Sequence, residues 1–429
     1  MKKKWFRLDN AALIFPAVMR RRWNNVFRLS VTLSEPIDPD CLARALEDLR
    51  PRFPSFFVRL RTGFFWYYLE EIKKPIRVRE EYAYPLTHMS QTEIRTSCLR
   101  VLYYENRIAV EFFHSVTDGT GGLLFIRNLT ARYLSLRYGI DVPYEDKILD
   151  PAEPPLPAET EDCFQKCSAK FAANRREETV YRLRGTPESD RFRHLTTGIL
   201  PTDELCRAAH EHNATVTAFL AAVMAETVQK KQAAEVSEKH WKPVKITVPV
   251  NLRRLFGVDT FRNFVLTLNA GVDPKTGDYS LDELCRQMTH QLAAEAVPQK
   301  MAARIAANVL PENNPVIRVM PLPVKNLVMR LVYADTGERK GCLNVSNLGV
   351  CSIPDVMRPY VERFEFIIGV QYSYPNNCSV VSYGGKTYIN MIRSIRESEL
   401  ERLFFSRLVE LGVPVDIESN RRRDPSCTV

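Results

Sequence analysis

His114 and Asp118, four residues apart in the run HSVTDG, are the residues of this sequence best placed to do chemistry. The pKa of an imidazole lies near neutral pH, so a neutral histidine can accept the proton of a hydroxyl or an amine. Acyl transfer from a thioester to such an acceptor needs this general base, together with donors that stabilise an oxyanion. The run therefore makes His114 a candidate base.

A second interpretation of the same run is open on local grounds. Here His114 is a hydrogen-bonded core histidine, and Asp118 is only the N-cap of the helix that follows. The sequence has neither a Gly-x-Ser-x-Gly elbow nor a cysteine-nucleophile signature, so no covalent enzyme intermediate is expected. The other six histidines lie in polar or helical contexts without a companion motif: His88, His194, His210, His212, His240 and His290.

The pattern around His114 predicts a strand, a tight connection and a helix. Residues 107–113 form the second strand of a predicted hairpin, so His114 lies at a strand end. The glycines within residues 119–122 permit close backbone approach or positive φ. A helix is expected over residues 123–137. Elsewhere in the first half we expect a strand over residues 26–33, a helix from Pro39 capped by Asp38, and a hairpin of residues 58–61 and 64–70.

Four prolines between residues 150 and 157 indicate a linker between two α+β halves. We place the subdomains at residues 1–180 and 181–429. The second half is expected to contain helices that begin at residue 202 and span residues 217–230, 281–294 and 397–411, and strands over residues 244–250, 342–345, 364–370, 379–383 and 387–391.

The composition is that of a folded protein without an obvious nucleic-acid surface. Of the 429 residues, 45% are hydrophobic, and the net charge of +9 is spread along the chain except for short basic runs at residues 2–4, 20–22 and 421–423. This charge favours at most a polyanionic small molecule. Ten scattered cysteines without zinc-ligand spacing predict reduced thiols and no metal site. No signal peptide or membrane-length apolar run is evident, so we expect a cytoplasmic protein.

Residues 112–122, FFHSVTDGTGG, resemble the HxxxDG motif of the chloramphenicol-acetyltransferase-like superfamily. This superfamily includes peptide-synthetase condensation domains, plant BAHD acyltransferases and wax ester synthases. The chain resembles the bacterial alcohol acetyltransferase-like proteins best. Further segments carry the resemblance in order along the chain: residues 5–12 (WFRLDNAA), 52–56 (RFPSF), 63–66 (GFFW), 248–254 (VPVNLRR), 262–264 (RNF) and 345–349 (VSNLG).

The resemblance implies a pseudo-dimer of two-layer α/β sandwich subdomains with a central tunnel, in which His114 deprotonates the acceptor. Asp118 matches an aspartate that points away from the substrate and pairs with an arginine of the second half. Arg253 is the expected partner, and Arg254 is the alternative. Gly119 keeps the loop tight beside the tunnel.

Ser346 and Asn347 match a position near the tunnel in this superfamily. Either side chain is a candidate donor to the oxyanion, and the alternative is that the pair simply turns a strand end. Phe113 stands where condensation domains carry a second histidine, which disfavours peptide condensation. Residues 344–349, NVSNLG, replace the DFGWG motif of the plant enzymes, so the donor is not carried over from them.

The activity implied is transfer of an acetyl or other short acyl group from acyl-CoA to a small alcohol or amine. Acyl-CoA is then a co-substrate, with no permanently bound cofactor. One alternative uses an acyl-carrier-protein thioester or a lipid or polyketide acceptor, and another is a non-catalytic degenerate member. Two halves in one chain predict a monomer.

Overall fold

The computed structural model describes residues 4–19, 25–173, 178–188, 191–336, 340–371 and 374–420. The basic runs at residues 20–22 and 421–423, and Lys2 and Lys3 of the first run, lie outside these ranges. The strands are β1 (Trp5–Arg7), β2 (Val26–Leu33), β3 (Val58–Thr62), β4 (Tyr67–Glu71), β5 (Val78–Glu80), β6 (Leu99–Tyr104), β7 (Arg107–Phe113), β8 (His194–Pro201), β9 (Val244–Asn251), β10 (Val265–Val272), β11 (Leu343–Val350), β12 (Val361–Ile368), β13 (Asn376–Tyr383), β14 (Lys386–Arg393) and β15 (Asp416–Ser419).

Helices are interspersed with these strands along the chain. They are α1 (Ile14–Val18), α2 (Pro39–Asp48), α3 (Gln91–Ile94), α4 (Gly119–Tyr138), α5 (Pro157–Thr160), α6 (Cys163–Lys166), α7 (Thr202–Glu211), α8 (Val216–Glu235), α9 (Leu252–Phe256), α10 (Leu281–Glu295), α11 (Pro298–Asn313), α12 (Pro315–Val319), α13 (Leu322–Thr336) and α14 (Glu399–Glu410). Short 3-10 turns span Ala11–Leu13, Glu238–His240, Pro274–Thr276 and Asp355–Tyr360.

Two mixed sheets, each covered by helices, form the body of the molecule. The strand order is β12-β2-β7-β6-β5 in the five-stranded sheet and β10-β9-β11-β13-β14-β8-β15 in the seven-stranded sheet. Helix α4, with α2 beside it, packs on the first sheet, and α8 and α10 pack on the second. A small sheet has the order β1-β4-β3. The predicted α+β layers are therefore confirmed.

Strand β12 belongs to the second half of the sequence but completes the sheet of the first half. It pairs antiparallel with β2, so that Phe364 lies opposite Val31 and Phe366 opposite Leu29. Its Phe366 carbonyl also accepts a hydrogen bond of 2.7 Å from Ser379 Oγ in β13 of the other sheet. The division at residue 180 stays a prediction, and β12 crosses it.

Helix α4 begins four residues earlier than predicted. The Asp118 carboxylate caps it, because Oδ1 accepts a hydrogen bond of 3.1 Å from the backbone nitrogen of Gly121. The glycines that were expected to lie before the helix are therefore in its first turn, and none of the three has a positive φ. The helix ends at Gly139, whose φ of +67° matches the usual left-handed terminus.

Two other sequence predictions need correction. The second strand of the first hairpin begins at Tyr67 rather than residue 64, because the turn is longer and closes with a hydrogen bond of 2.8 Å from Gly63 N to the Trp66 carbonyl. Strand β11 extends to Val350, so Ser346 and Asn347 lie inside a strand and do not turn its end. The strands predicted over residues 26–33 and 107–113 have the expected bounds.

Candidate active site

His114 lies directly after β7 and its side chain is partly buried between two phenylalanine rings. The ring of Phe15 in α1 stacks on the imidazole with centroids 4.6 Å apart, and the ring of Phe27 in β2 meets it edge-on at 4.9 Å. The backbone nitrogen of His114 donates to the Asn25 carbonyl at 2.7 Å. The two rings fix the plane of the imidazole, and the backbone bond holds the main chain that carries it.

The hydrogen bond between His114 and Asn263 determines the tautomer of the imidazole. Asn263 Oδ1 lies 3.0 Å from His114 Nδ1, and Asn263 Nδ2 donates to the His114 carbonyl at 2.9 Å and to Asp9 Oδ2 at 3.2 Å. Because two acceptors hold the amide nitrogen, the oxygen is the atom that faces the ring, and an oxygen can only accept. Nδ1 therefore carries the proton, and Nε2 presents a lone pair.

Asp9 is the far end of this chain of hydrogen bonds. The residue is fully buried, and its Oδ1 accepts a hydrogen bond of 2.8 Å from the backbone nitrogen of Ala12. Burial raises the pKa of Asp9 to about 7, although the Arg262 guanidinium, 3.6 Å away, lowers it in part. The series Asp9–Asn263–His114 thus couples a buried carboxyl group to the imidazole through one amide.

Burial also lowers the pKa of His114 below its ordinary value of 6.5. The attraction of Asp118 and the hydrogen bond with Asn263 oppose this shift without reversing it. The imidazole is therefore neutral at neutral pH. A neutral ring with its lone pair on Nε2 is the form that can accept a proton.

Asp118 points away from the imidazole and joins the two halves of the sequence. Its Oδ2 accepts hydrogen bonds of 2.9 Å from Arg253 Nη1 and 2.8 Å from the backbone nitrogen of Phe264. Burial alone would raise the pKa of Asp118, but the Arg253 charge and these hydrogen bonds hold it below its ordinary value. The pair expected from the resemblance is present, whereas Arg254 is exposed and makes no hydrogen bond to Asp118 within the described residues.

Arg253 holds the segment that carries Asn263. Its guanidinium donates to the carbonyls of Thr260, at 2.7 Å, and of Arg262. From the other side, Thr117 Oγ1 donates 2.6 Å to the Phe261 carbonyl. The connection after His114 and the segment before β10 are therefore fastened at several points, and this fastening brings Asn263 to the imidazole.

The glycines at the start of α4 make this close approach sterically feasible. A Cβ atom on Gly121 would lie 2.1 Å from Thr117 Oγ1 and 2.4 Å from the Phe261 carbonyl oxygen. A Cβ on Gly119 would meet Leu348 and Phe366 side chains at 3.0 and 3.1 Å. The sequence offered two reasons for these glycines, a positive φ or a close approach of the backbone. The structure shows close approach.

Solved structures that are similar to this chain include three of low sequence identity. Polyketide synthase associated protein 5 from Mycobacterium tuberculosis is 17% identical, with 95% of this chain and 96% of that chain covered and a TM-score of 0.61. F. graminearum TRI101, crystallised with coenzyme A and T-2 mycotoxin, is 10% identical, with 97% and 100% covered and a TM-score of 0.62. TRI3 trichothecene 15-O-acetyltransferase from Fusarium sporotrichioides is 13% identical, with 95% and 94% covered and a TM-score of 0.60.

The chain has the chloramphenicol-acetyltransferase-like fold. The predicted resemblance is confirmed at the level of the fold. No protein-family profile matches the chain, and no curated protein sequence is similar to it. At identities of 10–17% the similarity is one of architecture.

The chloramphenicol-acetyltransferase-like fold does not bring every predicted site residue to the imidazole. Ser346 is buried in β11 opposite Ser379 of β13. Asn347 Nδ2 donates a hydrogen bond of 3.1 Å to Thr217 Oγ1, and Asn347 Oδ1 accepts one of 2.8 Å from the Gly349 backbone nitrogen. Within the described residues neither side chain makes a hydrogen bond to His114.

Asn263 and Asp9 are the residues that sequence reasoning did not assign to the site. Both lie in segments that carry the family resemblance, residues 262–264 and 5–12, and this was the only signal available. Asn263 is 149 positions from His114 in the sequence, so no local spacing could have paired them. No group of three or more metal-ligand side chains occurs in the part of the chain that the structure describes.

Proposed function

We propose that this protein is an acyltransferase in which His114 is the general base. The observation that carries the proposal is the Nδ1–Asn263 hydrogen bond, which leaves Nε2 unprotonated. The fold adds support, because solved examples of it include an acetyltransferase and a protein crystallised with coenzyme A.

In the proposed reaction the acceptor hydroxyl gives its proton to His114 Nε2 as its oxygen attacks the thioester carbonyl carbon. The tetrahedral intermediate then collapses, the carbon–sulfur bond breaks, and the imidazolium returns the proton to the leaving thiolate. Holding both substrates together accounts for much of the rate, and no covalent enzyme intermediate is needed. Asp118, Gly119 and Arg253 position the connection and do not touch the reacting atoms.

We propose acyl-CoA with a short acyl chain as the donor and a small alcohol or amine as the acceptor. The coenzyme A bound by F. graminearum TRI101 and the 15-O-acetyltransferase name of TRI3 support this choice. The net charge of +9 favours a donor that carries phosphate groups. Ser346 and Asn347 stay proposed tunnel residues, and oxyanion stabilisation by Asn347 would require its amide to leave Thr217.

A second candidate is transfer from a carrier-protein thioester or to a lipid or polyketide acceptor. It is favoured by the likeness to a polyketide synthase associated protein. A non-catalytic role is disfavoured, because a protein that has lost its activity does not need an imidazole held in one tautomer by a buried amide.

The test is release of free thiol from acetyl-CoA in the presence of a panel of alcohols and amines. We expect release with at least one acceptor, and a loss of about 10²- to 10⁴-fold in His114→Ala. His290→Ala, which changes an exposed histidine on α10, is the matched control and should retain full activity.

Equal thiol release by the wild type and His114→Ala would rule out the proposed base. Release from an acylated carrier protein, with none from any acyl-CoA, would favour the second candidate. If neither donor releases thiol with any acceptor, the non-catalytic alternative is preferred.

A further inference from the structure

Helix α13 presents an apolar stripe to solvent instead of to the core. Val324, Leu327, Val328, Leu331 and Val332 follow the i, i+3, i+4, i+7, i+8 spacing of one helix face. All five are exposed, and Leu327 and Leu331 are 59% and 64% exposed. A surface helix of a globular protein normally buries this face, so the arrangement is inverted.

Neighbouring side chains extend the stripe into one surface. Val316 and Val319 of α12 are exposed just before it, and the Phe64 and Phe65 rings pack edge-to-face in the turn between β3 and β4. That turn is attached to α13, because the Leu322 nitrogen donates 3.0 Å to the Phe64 carbonyl. We call α12, α13 and residues 64–65 the apolar platform.

The charges of the platform are positive except for Asp335 near the end of α13. No Asp or Glu occurs between Glu312 and Asp335, whereas Arg318 and Arg330 are exposed in this interval. Lys325 is buried beneath the helix, where its Nζ lies 3.4 Å from the centroid of the Trp66 ring and 3.0 Å from the Phe65 carbonyl. The outward surface thus combines aliphatic and aromatic side chains with arginines.

This combination fits a negatively charged lipid surface better than a second copy of the chain. A two-fold interface would place the platform on itself and bring its arginines together, with Asp335 as the one acidic residue of the platform. Apolar side chains that enter the headgroup region beside cations are typical of helices that lie in a membrane interface. No helix of the described residues is long and apolar enough to cross a bilayer.

We propose that the apolar platform docks the protein onto an anionic bilayer surface, with α12 and α13 lying in the plane of the interface. Helix α13 packs against α1, where Arg330 Nε donates 2.6 Å to the Ala17 carbonyl. Helix α1 also carries Phe15, which stacks on His114. The docked face therefore lies one helix away from the candidate base, which suits an apolar acceptor that partitions into lipid. Docking itself does not depend on the proposed activity.

The experiment measures cosedimentation of the full chain with vesicles of phosphatidylcholine alone and with vesicles containing about one third phosphatidylglycerol. We expect binding to the anionic vesicles that weakens at high salt. The double variant Leu327→Asp/Leu331→Asp should bind about tenfold or more weakly. The matched control is Val409→Asp/Ile417→Asp, which changes two equally exposed apolar residues elsewhere and should bind like the wild type.

Circular dichroism melting of each variant shows that a loss of binding does not come from unfolding. Absence of binding to either vesicle, or equal binding of the platform variant and the wild type, would overturn the proposal. Sedimentation equilibrium tests the other possible occupant of the platform, a second copy of the chain. A dimer that dissociates in the Leu327→Asp/Leu331→Asp variant would show that the platform is a self-association surface, and this too would overturn the proposal.

Discussion

At the scale of single residues, the candidate site depends on which imidazole nitrogen carries the proton. Asn263 settles this because its amide nitrogen is held by the His114 carbonyl and by Asp9, so its oxygen must face Nδ1. A base also has to be neutral, and the burial of His114 favours the neutral form. Two separate features of the environment therefore prepare Nε2 to accept a proton.

Asn263→Ala should lower kcat by about tenfold to a hundredfold and leave the KM for the acyl donor nearly unchanged. The reason is that the imidazole can then rotate or place its proton on Nε2, while the binding surfaces stay in place. Steady-state kinetics separate the two parameters. Asn326→Ala, which removes a hydrogen bond to Tyr67 instead, is the control. A rise in KM with kcat intact would show that Asn263 acts in binding and not on the base.

The pH dependence of kcat/KM should report the shifted His114. A base works when unprotonated, so a lowered pKa keeps it active to lower pH, and the acidic limb should lie below 6.5. Phe15→Ala exposes the ring to water, which stabilises the imidazolium, so the limb should move to higher pH. Phe65→Ala, which changes a ring that packs on Phe64 and not on His114, should leave the profile in place. An acidic limb that does not move in Phe15→Ala would argue against desolvation as the cause.

At the scale of elements, the connection between β7 and α4 is fastened to the segment before β10 by a buried ion pair. Asp118 is at once the N-cap of α4 and the partner of Arg253, and Arg253 also holds two backbone carbonyls. Breaking one side of such a pair leaves an uncompensated buried charge.

Arg253→Ala should therefore lower the free energy of unfolding by roughly 3–5 kcal/mol. Arg254→Ala, which changes the exposed neighbouring residue, should change it by less than about 0.5 kcal/mol. Urea denaturation measures both values. Exchanging the charges, with Arg at 118 and Asp at 253, should not restore stability, because an aspartate cannot donate to the carbonyls of Thr260 and Arg262. Equal effects of the two single variants would contradict this account of the pair.

Sequence patterns predicted several strands of the first half and the start of α2 well because their signals are local, whereas the start of α4 was misplaced by four residues. Residues 26–33 form β2 as expected, Asp38 caps the helix that begins at Pro39, and residues 107–113 form the second strand of the predicted hairpin. The Asp118–Arg253 pair came only from family resemblance. The pairing of Asn263 with His114 and of β12 with β2 depends on contacts over more than a hundred residues, and neither composition nor spacing records such contacts.

At the scale of the whole molecule, the two halves share a core and do not merely touch. Phe364 and Phe366 of β12 are buried with residues of the first half, and so are Ile353 and Met357 just before it. Phe261 also enters this core. The first half therefore lacks an edge strand and part of its hydrophobic interior when it is on its own.

A fragment of residues 1–180 should not fold when produced alone, and it should give an ordered chain only together with residues 181–429. The fragment would expose the edge of β2 and the apolar side chains that β12 covers. Circular dichroism and gel filtration of the fragment and of the coexpressed pair provide the measurement, with the intact chain as reference. A fragment that melts cooperatively as a monomer would show that residues 1–180 form an independent domain.

Strand β12 also limits how the molecule can move. It pairs with β2 in one sheet and accepts a hydrogen bond from β13 in the other, so it is bonded to both sheets. A hinge motion that separates the two halves would have to break these hydrogen bonds. Under the proposed function, a substrate would reach His114 through movement of short segments such as α1, whose Phe15 ring stacks on the imidazole. The rate of turnover would then be limited by local movements of such segments and not by a closure of the two halves.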